Sequence, residues 1–346
     1  MVMNFGIIPE TLFERLALRL GLVPLPIVDM LFGSIKARMI MVGVSLGLFE
    51  ALRNEPRSAV DLAETLRADS NALECLLRAL THAGYLVRRD EVYALSRLAR
   101  RTVVRGAPMD ITGYVAWHET QCRFLEHMET LVRTGKGIEF HRTLRDKRSW
   151  RDYQRAMLAI ARLDAATIAR LVPIRAGATH LLDLAGSHGL LGAAICRRHP
   201  PMRSTVVDLP EAVEEGRALA RETGNADLVE HLAGDLRTDP LDECDAVLLA
   251  NILHHFRPAE ITGLMARVRH ALRPGGTVAI WDLESPQRGG TVGHGDVVSL
   301  FFRLTSSAGA YHGTDYANWL RDQRFSRIKI VRPNRSPGRV LVTGTT

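Results

Sequence analysis

The sequence predicts an α/β protein in which a helical, winged-helix-like segment precedes a parallel sheet built from βαβ units. Three observations carry this. From residue 180 onward, short apolar runs alternate with helical stretches: LLDLA (181–185), STVVD (204–208), LVEHLAGD (228–235), AVLLAN (246–251) and TVAIWD (277–282). Strands spaced by helices in this way imply crossover connections and a parallel sheet. The first hundred residues instead read helix, helix, helix, hairpin. Finally, 346 residues are too many for one typical domain and comfortable for two.

The elements can be justified in chain order. Residues 21–50 are apolar but interrupted by Pro24, Pro26, Asp29, Lys36 and Arg38, so they read as an amphipathic core helix and not as a membrane span. Ile35, Met39, Val42, Leu46 and Phe49 recur at helical spacing. Ser58 with Asp61 three residues on reads as a helix start running to Leu66. Asp69 or Ser70 opens NALECLLRALTHAGY, which Gly84 closes. YLVRRDEVYALS reads as a hairpin turning near Arg89-Asp90. The helix before it is apolar over most of its circumference, whereas a groove-reading helix needs a polar face; the expectation is no nucleic-acid binding. Residues 109–172 read as helical with a break at RTGKGIEF, and the last helix ends before Pro173. RIKIVRP and GRVLVTG flank NRSPG as a terminal hairpin. The expected domains are 1–106 and 107–346, the latter split into a helical connector (107–172) and the sheet-bearing core (173–346).

Composition narrows the class. The chain is 46% hydrophobic and 24% charged with a net charge of +7, ordinary for a globular protein. Cys75, Cys122, Cys196 and Cys244 are scattered and form no CxxC, which argues against a zinc site and a disulfide framework. A reducing cytoplasm suits them, and MVMNFGIIPE has no basic leader. His254, His255 and Glu260 do not have the spacing of a metal site.

The chemistry is expected at the strand ends. HLLDLAGSHG places a turn of small residues between a strand and a helix, where backbone and ligand can approach closely. It lacks the GxGxxG of a dinucleotide site and the GxxxxGK[ST] of a P-loop. Asp208, ending the next strand, can accept from both hydroxyls of a ribose. Asp235, ending the third, can accept from an amino group of a base. Asn251, His254 and His255 follow the fourth. Ligands of open α/β sheets sit outside these carboxyl ends, so the loops converge on one crevice.

With these pieces in order, the chain resembles the class I S-adenosylmethionine-dependent methyltransferases, specifically the small-molecule O-methyltransferases similar to plant caffeic acid and bacterial antibiotic and polyketide enzymes. LLDLAGSHG stands for the family's DxGGGxG, ANILHHF for its LHDW region, and VVDLP, AGDL and ALRPGGTVAIWD fall in the matching places. The resemblance covers nearly the whole chain. It implies a Rossmann-like, seven-stranded domain that binds S-adenosylmethionine and releases S-adenosylhomocysteine, and an N-terminal domain that forms a homodimer. It further implies that Gly186, Ser187 and Gly189 line the methionine end, Asp208 holds the ribose with Leu209 beside the adenine, and Asp235 and Leu236 flank the base. Asn251 and Arg162 are further cofactor candidates, and Trp117, His118, Tyr153 and Met157 are candidates for the pocket of a small-molecule acceptor. His254 falls on the catalytic base position.

An imidazole titrates near neutrality and suits that role. The family orients this histidine with two glutamates; the matching positions here are Asp282 and, near AYHGT, His312. The loop keeps only two of the family's four glycines, with Ala185 and Ser187 in their stead. The expected reaction is O-methylation of a hydroxylated aromatic or polyketide-like metabolite. Methylation at nitrogen or carbon, non-methylating chemistry on the same cofactor, and a metabolite-sensing regulator are the alternatives.

Overall fold

The computed structural model describes residue 9 and residues 11–144, 146–286, 294–306, 308–334 and 336–346. The chain divides into two compact units, Met3–Glu119 and Thr120–Thr346.

In the N-terminal unit, helix starts follow the side chains that can cap them. Ser58 accepts from the Asp61 N–H and Asp61 reaches back, so the helix Ala59–Leu66 begins in a reciprocal capping box. Asp69 caps Ser70–His82 through the Ala72 N–H. Strands β1 (Arg57–Ser58), β2 (Leu86–Arg89) and β3 (Val92–Leu95) form a small antiparallel sheet in the order β1-β3-β2. Leu73, Leu77 and Leu80 are buried with Leu48, Phe49, Leu62 and Tyr93, so the helix Ser70–His82 gives its apolar face to the core of this unit.

Residues 21–50 depart from expectation. The helix Leu25–Ser45 buries only Met41 and Gly43. Ile27, Met30, Leu31, Phe32 and Ile35 are exposed. Its apolar residues run all round the helix, and within one chain only the C-terminal turns meet a core.

The C-terminal unit is built on a seven-stranded sheet. Its strands are β4 (His180–Leu184), β5 (Arg203–Asp208), β6 (Val229–Ala233), β7 (Cys244–Ala250), β8 (Leu272–Leu283), β9 (Ser326–Val331) and β10 (Arg339–Thr345). The order is β6-β5-β4-β7-β8-β10-β9, with β10 antiparallel to both neighbours and the rest of the ladder from β6 to β8 parallel. Successive side chains on a strand point to opposite faces, and both faces are covered. Leu182, Leu184, Val247, Leu249, Val278 and Ile280 fill one core; Leu181, Ala246, Leu248, Ala279 and Trp281 fill the other. Burial on both sides is why these strands read as continuous apolar runs. The helix Lys147–Leu171 leads into β4. The functional loops all leave the carboxyl ends of β4, β5, β6 and β7.

Candidate active site

The loop after β4 explains its small residues physically. A Cβ on Gly186 would lie 2.4 Å from Cγ of Asp183, and one on Gly189 would lie 2.5 Å from Cγ1 of Val229. Ala185, Ser187 and Gly189 all take left-handed backbone, with φ of 55°, 53° and 70°. Such conformations are strained for residues with a Cβ. The strain is held by hydrogen bonds: Ala185 N–H donates to Val207 at 2.8 Å, Ser187 N–H to Asp208 Oδ2 at 2.9 Å, and Ser187 Oγ to Gln154 Oε1 at 2.8 Å.

Asp208 also accepts from the Leu209 N–H at 2.8 Å, on its other oxygen. A carboxylate offers about four acceptor sites, so each oxygen keeps capacity for a ligand hydroxyl. Burial pushes the Asp208 carboxyl up to about 6, against the lowering effect of the two backbone N–H groups. Burial likewise raises Asp183, behind the loop, to about 7. Asp235 accepts from the Arg237 N–H at 2.8 Å just beyond β6, and Leu236 is buried beside it. Leu209 is half-buried at the end of β5.

His254 sits in a short turn, Leu253–His255, beyond β7. Its Nδ1 is 2.6 Å from Oδ1 of Asp282 on β8, with the pair 3% and 0% exposed. A carboxylate only accepts, so Nδ1 carries the proton and Nε2 the lone pair. The turn is anchored where the Gly309 N–H and Ser306 Oγ both donate to the His254 carbonyl at 3.1 Å. The Phe302 ring lies nearly parallel to the imidazole, 3.7 Å between centroids.

Further rings gather around this turn. His255 is 4.2 Å from His254 and His141 is 4.8 Å from His255, centroid to centroid. His141 Nε2 is 3.1 Å from the Tyr153 hydroxyl. Burial, reinforced by His254, drives His141 down to about 3 and His255 well below the usual histidine range. Both rings are therefore neutral at physiological pH. Burial and the Asp208 charge raise the Tyr153 phenol.

The structure thus brings Gly186, Ser187, Gly189, Asp208 and Leu209 together at the carboxyl ends of β4 and β5, and His254 with Asp282 beyond β7 and β8, with Tyr153 interacting with groups on both sides. Asn251 holds φ 57° and accepts on Oδ1 from Arg339. His312 lies apart from His254 in its bonding. It caps the helix Gly313–Asp322, with its ring 2.8 Å from Thr314 Oγ1 and 3.4 Å from Glu284 Oε1. Arg162 is exposed, and Met157 is half-buried on the same helix. Trp117 is buried and His118 stacks on Tyr114 within the N-terminal unit. His188, in the loop after β4, is buried, accepts from the Leu190 N–H at 3.0 Å and is lowered to about 4 by burial.

Phe302, with Phe301 and Tyr311, is readable from the sequence as a residue that could close the acceptor pocket, with core packing as the safer reading; Gln154 and His141 are not, because each comes from an element distant in sequence. The break at RTGKGIEF (133–140), read only as a helix interruption, ends just before His141 and is the signal that could have drawn attention to it. Among the described residues, no group of His, Cys, Asp and Glu could hold a metal ion, and no helix is long and apolar enough to cross a membrane.

Comparison with known proteins fits this geometry. Residues 117–326 match the O-methyltransferase domain family, and residues 28–105 match the O-methyltransferase dimerisation domain. The chain belongs to the O-methyltransferase family and is an S-adenosylmethionine-dependent methyltransferase. It is similar to the 3-hydroxy-5-methyl-1-naphthoate 3-O-methyltransferase of Streptomyces sahachiroi, with 29% identity covering 89% of this chain and 91% of that protein. It is 30% identical to the mitomycin biosynthesis 6-O-methyltransferase of Streptomyces lavendulae, over 73% of this chain and 76% of that one. Its fold is shared with human N-acetylserotonin methyltransferase solved with S-adenosylmethionine, at a TM-score of 0.83 and 18% identity over 97% and 98% of the two chains.

Proposed function

We propose that this enzyme methylates a hydroxyl of a small aromatic or polyketide-like metabolite, with His254 as general base. The observation that carries the reading is the buried 2.6 Å contact of His254 Nδ1 with Asp282, which fixes the tautomer and leaves Nε2 basic. The similar enzymes named as a hydroxynaphthoate 3-O-methyltransferase and a mitomycin biosynthesis 6-O-methyltransferase support the acceptor class, as do the rings of Phe302, His255, His141 and Phe140 around the turn.

When bound, S-adenosylmethionine supplies an electrophilic methyl group on a cationic sulfur. Gly186, Ser187 and Gly189 would hold its amino-acid end, Asp208 its ribose, and Asp235 with Leu236 its base. The residues fit: the loop admits no extra Cβ at either glycine, Asp208 retains acceptor capacity on both oxygens, and residues 184–190 contain no Lys or Arg to repel the sulfonium. His254 Nε2 takes the acceptor hydroxyl proton as the oxygen attacks, and Asp282 stabilises the imidazolium that results. Alignment of the acceptor can contribute several kcal/mol, and general base catalysis typically about 10²–10⁴-fold.

The same reading makes the enzyme a homodimer through its N-terminal unit. The exposed apolar helix Leu25–Ser45 supports this, as does the groove of about 400 Å³ lined by Ile35, Met39, Val42, Leu46, Leu73 and Leu76. The cytoplasm suits its four free cysteines.

The test is methyl transfer to a panel of hydroxylated naphthoates, quinones and related phenols. His254→Ala should lower kcat by about 10²–10⁴-fold while S-adenosylhomocysteine still binds. Transfer that survives His254→Ala undiminished would instead point to an acceptor, such as an amine, that needs no base.

A further inference from the structure

Asp282 is held on one oxygen only. Oδ1 meets His254 Nδ1 and accepts from the Leu283 N–H at 2.8 Å. Oδ2 is buried and has no partner of good hydrogen-bond geometry. One other buried oxygen in the same core is in the same condition: the hydroxyl of Tyr316, on the helix Gly313–Asp322. Tyr316 is fully buried. Its hydroxyl lies within interaction range of the Asp282 carboxylate and of the Tyr311 backbone N–H. A donor and an acceptor buried side by side, each otherwise unsatisfied, are costly apart and satisfied together.

We infer that Tyr316 is a positioning residue for the His254–Asp282 pair: its hydroxyl donates to Asp282 Oδ2, while Oδ1 holds the imidazole. Tyr316 thereby takes up the supporting place that His312 does not, since His312 is bonded to Thr314 and paired with Glu284. The chemistry suits a tyrosine. The O–H donates to the carboxylate without adding charge, and the Tyr311 and Trp319 rings hold the phenol edge-on at centroid distances of 6.1 and 5.8 Å. With its second oxygen satisfied, Asp282 cannot rotate away from Nδ1, and its charge is shared among three donors, the imidazole, the Leu283 N–H and the tyrosine hydroxyl.

The inference rests on the reading of His254 as base, but its test does not require activity. Tyr316→Phe removes only the hydroxyl from an apolar site. The His254 resonance is followed by pH titration of the full chain labelled at histidine Cε1, and assigned by its loss in His254→Ala. Without the tyrosine donor the Asp282 charge concentrates on Nδ1–H, and the pair binds its proton more tightly. The His254 midpoint should rise by about one pH unit, and the acid limb of kcat/KM should move with it. The other titratable groups facing the pair are His255, in the same turn, His141, both neutral across this range, and Tyr311; Arg237 acts on the two histidine rings, and Glu260, Asp315 and Arg303 act on Tyr311. Tyr316→Phe should also unfold at a lower temperature, because Oδ2 is then stranded. An unchanged His254 midpoint, or a variant as stable as the parent, overturns the inference. Methyl transfer that survives His254→Ala would overturn the base assignment alone and leave the midpoint result standing.

Discussion

At the end of the crevice formed by the loops after β4 and β5, the polar contacts are made chiefly by backbone: Asp208 is held by two N–H groups, and three loop residues take left-handed conformations to aim them. At the other end, after β7 and β8, the contacts are made by side chains from separate elements: Asp282 under His254, Phe302 above it, and His255 and His141 beside it. The electrostatics differ in sign as well. Burial holds the carboxyls of the first end above their usual range and the accessory histidines of the second below theirs. In the proposed function, the site for a polar cofactor is made by a loop that cannot tolerate extra atoms, and the site for proton removal by packing that keeps the accessory rings neutral.

The largest effect that breaks this comparison is expected at Asp208. A ribose diol donates to the anion, so Asp208→Ala should weaken S-adenosylhomocysteine binding by about a hundredfold or more, with His254 chemistry untouched. In the wild type, affinity should fall about tenfold per pH unit once the pH drops below about 6, where Asp208 takes up a proton. Isothermal titration across pH 4.5–8 reads both. An affinity flat across that range would show that the ribose is not held by this carboxylate.

A smaller effect separates the two ends through stability. Asp208 has a folded-state pKa above its unfolded value, so the folded apo protein binds more protons between about pH 4 and 6 and loses stability as pH rises through that window. His141 has a folded-state pKa below its unfolded value, so the protein loses stability as pH falls from about 6.5 toward 3. The Tm of Asp208→Asn relative to wild type should therefore climb as pH rises from about 4 to 6, by an amount corresponding to about 3 kcal/mol. The Tm of His141→Gln relative to wild type should climb as pH falls. Parallel melting curves for variant and parent across pH 4–8 would contradict the burial of that group.

The contrast also accounts for what could be read in advance. Strands, their order along the chain and the capped helices of the N-terminal unit follow from periodicity and from Ser58, Asp61 and Asp69, which act within three residues. Gly186, Asp208 and His254 were legible because each stands next to a strand end. The support of His254 was only half legible. Asp282 lies on a recognisable strand, but the place of Tyr316 depends on how helix Gly313–Asp322 packs against β9 and β10, which no local pattern encodes. His312 is near in sequence to where a supporting carboxylate is expected, and a helix N-terminus claims it instead. Helix Leu25–Ser45 departs from the core reading because its apolar residues are real, but within this chain only its C-terminal turns meet a core.

The smallest effect tests whether the left-handed loop is strained. Ala185 and Ser187 share the same backbone region, yet differ in what their side chains do. The Ala185 methyl only packs against the core near the sheet end, whereas Ser187 Oγ donates to Gln154, which in turn donates from Nε2 to the Ala212 carbonyl. A left-handed L-residue costs about 1–2 kcal/mol, and glycine recovers that less about 0.5–1 kcal/mol of unfolded-state entropy. Ala185→Gly should therefore stabilise the protein by about 0.5 kcal/mol. Ser187→Gly should be neutral or slightly destabilising, because relief of strain is offset by a lost hydrogen bond of about 1 kcal/mol. Chemical denaturation of the two variants resolves the sign. Equal gains from both would mean that the Ser187–Gln154 bond contributes nothing, and that the loop is held by backbone alone.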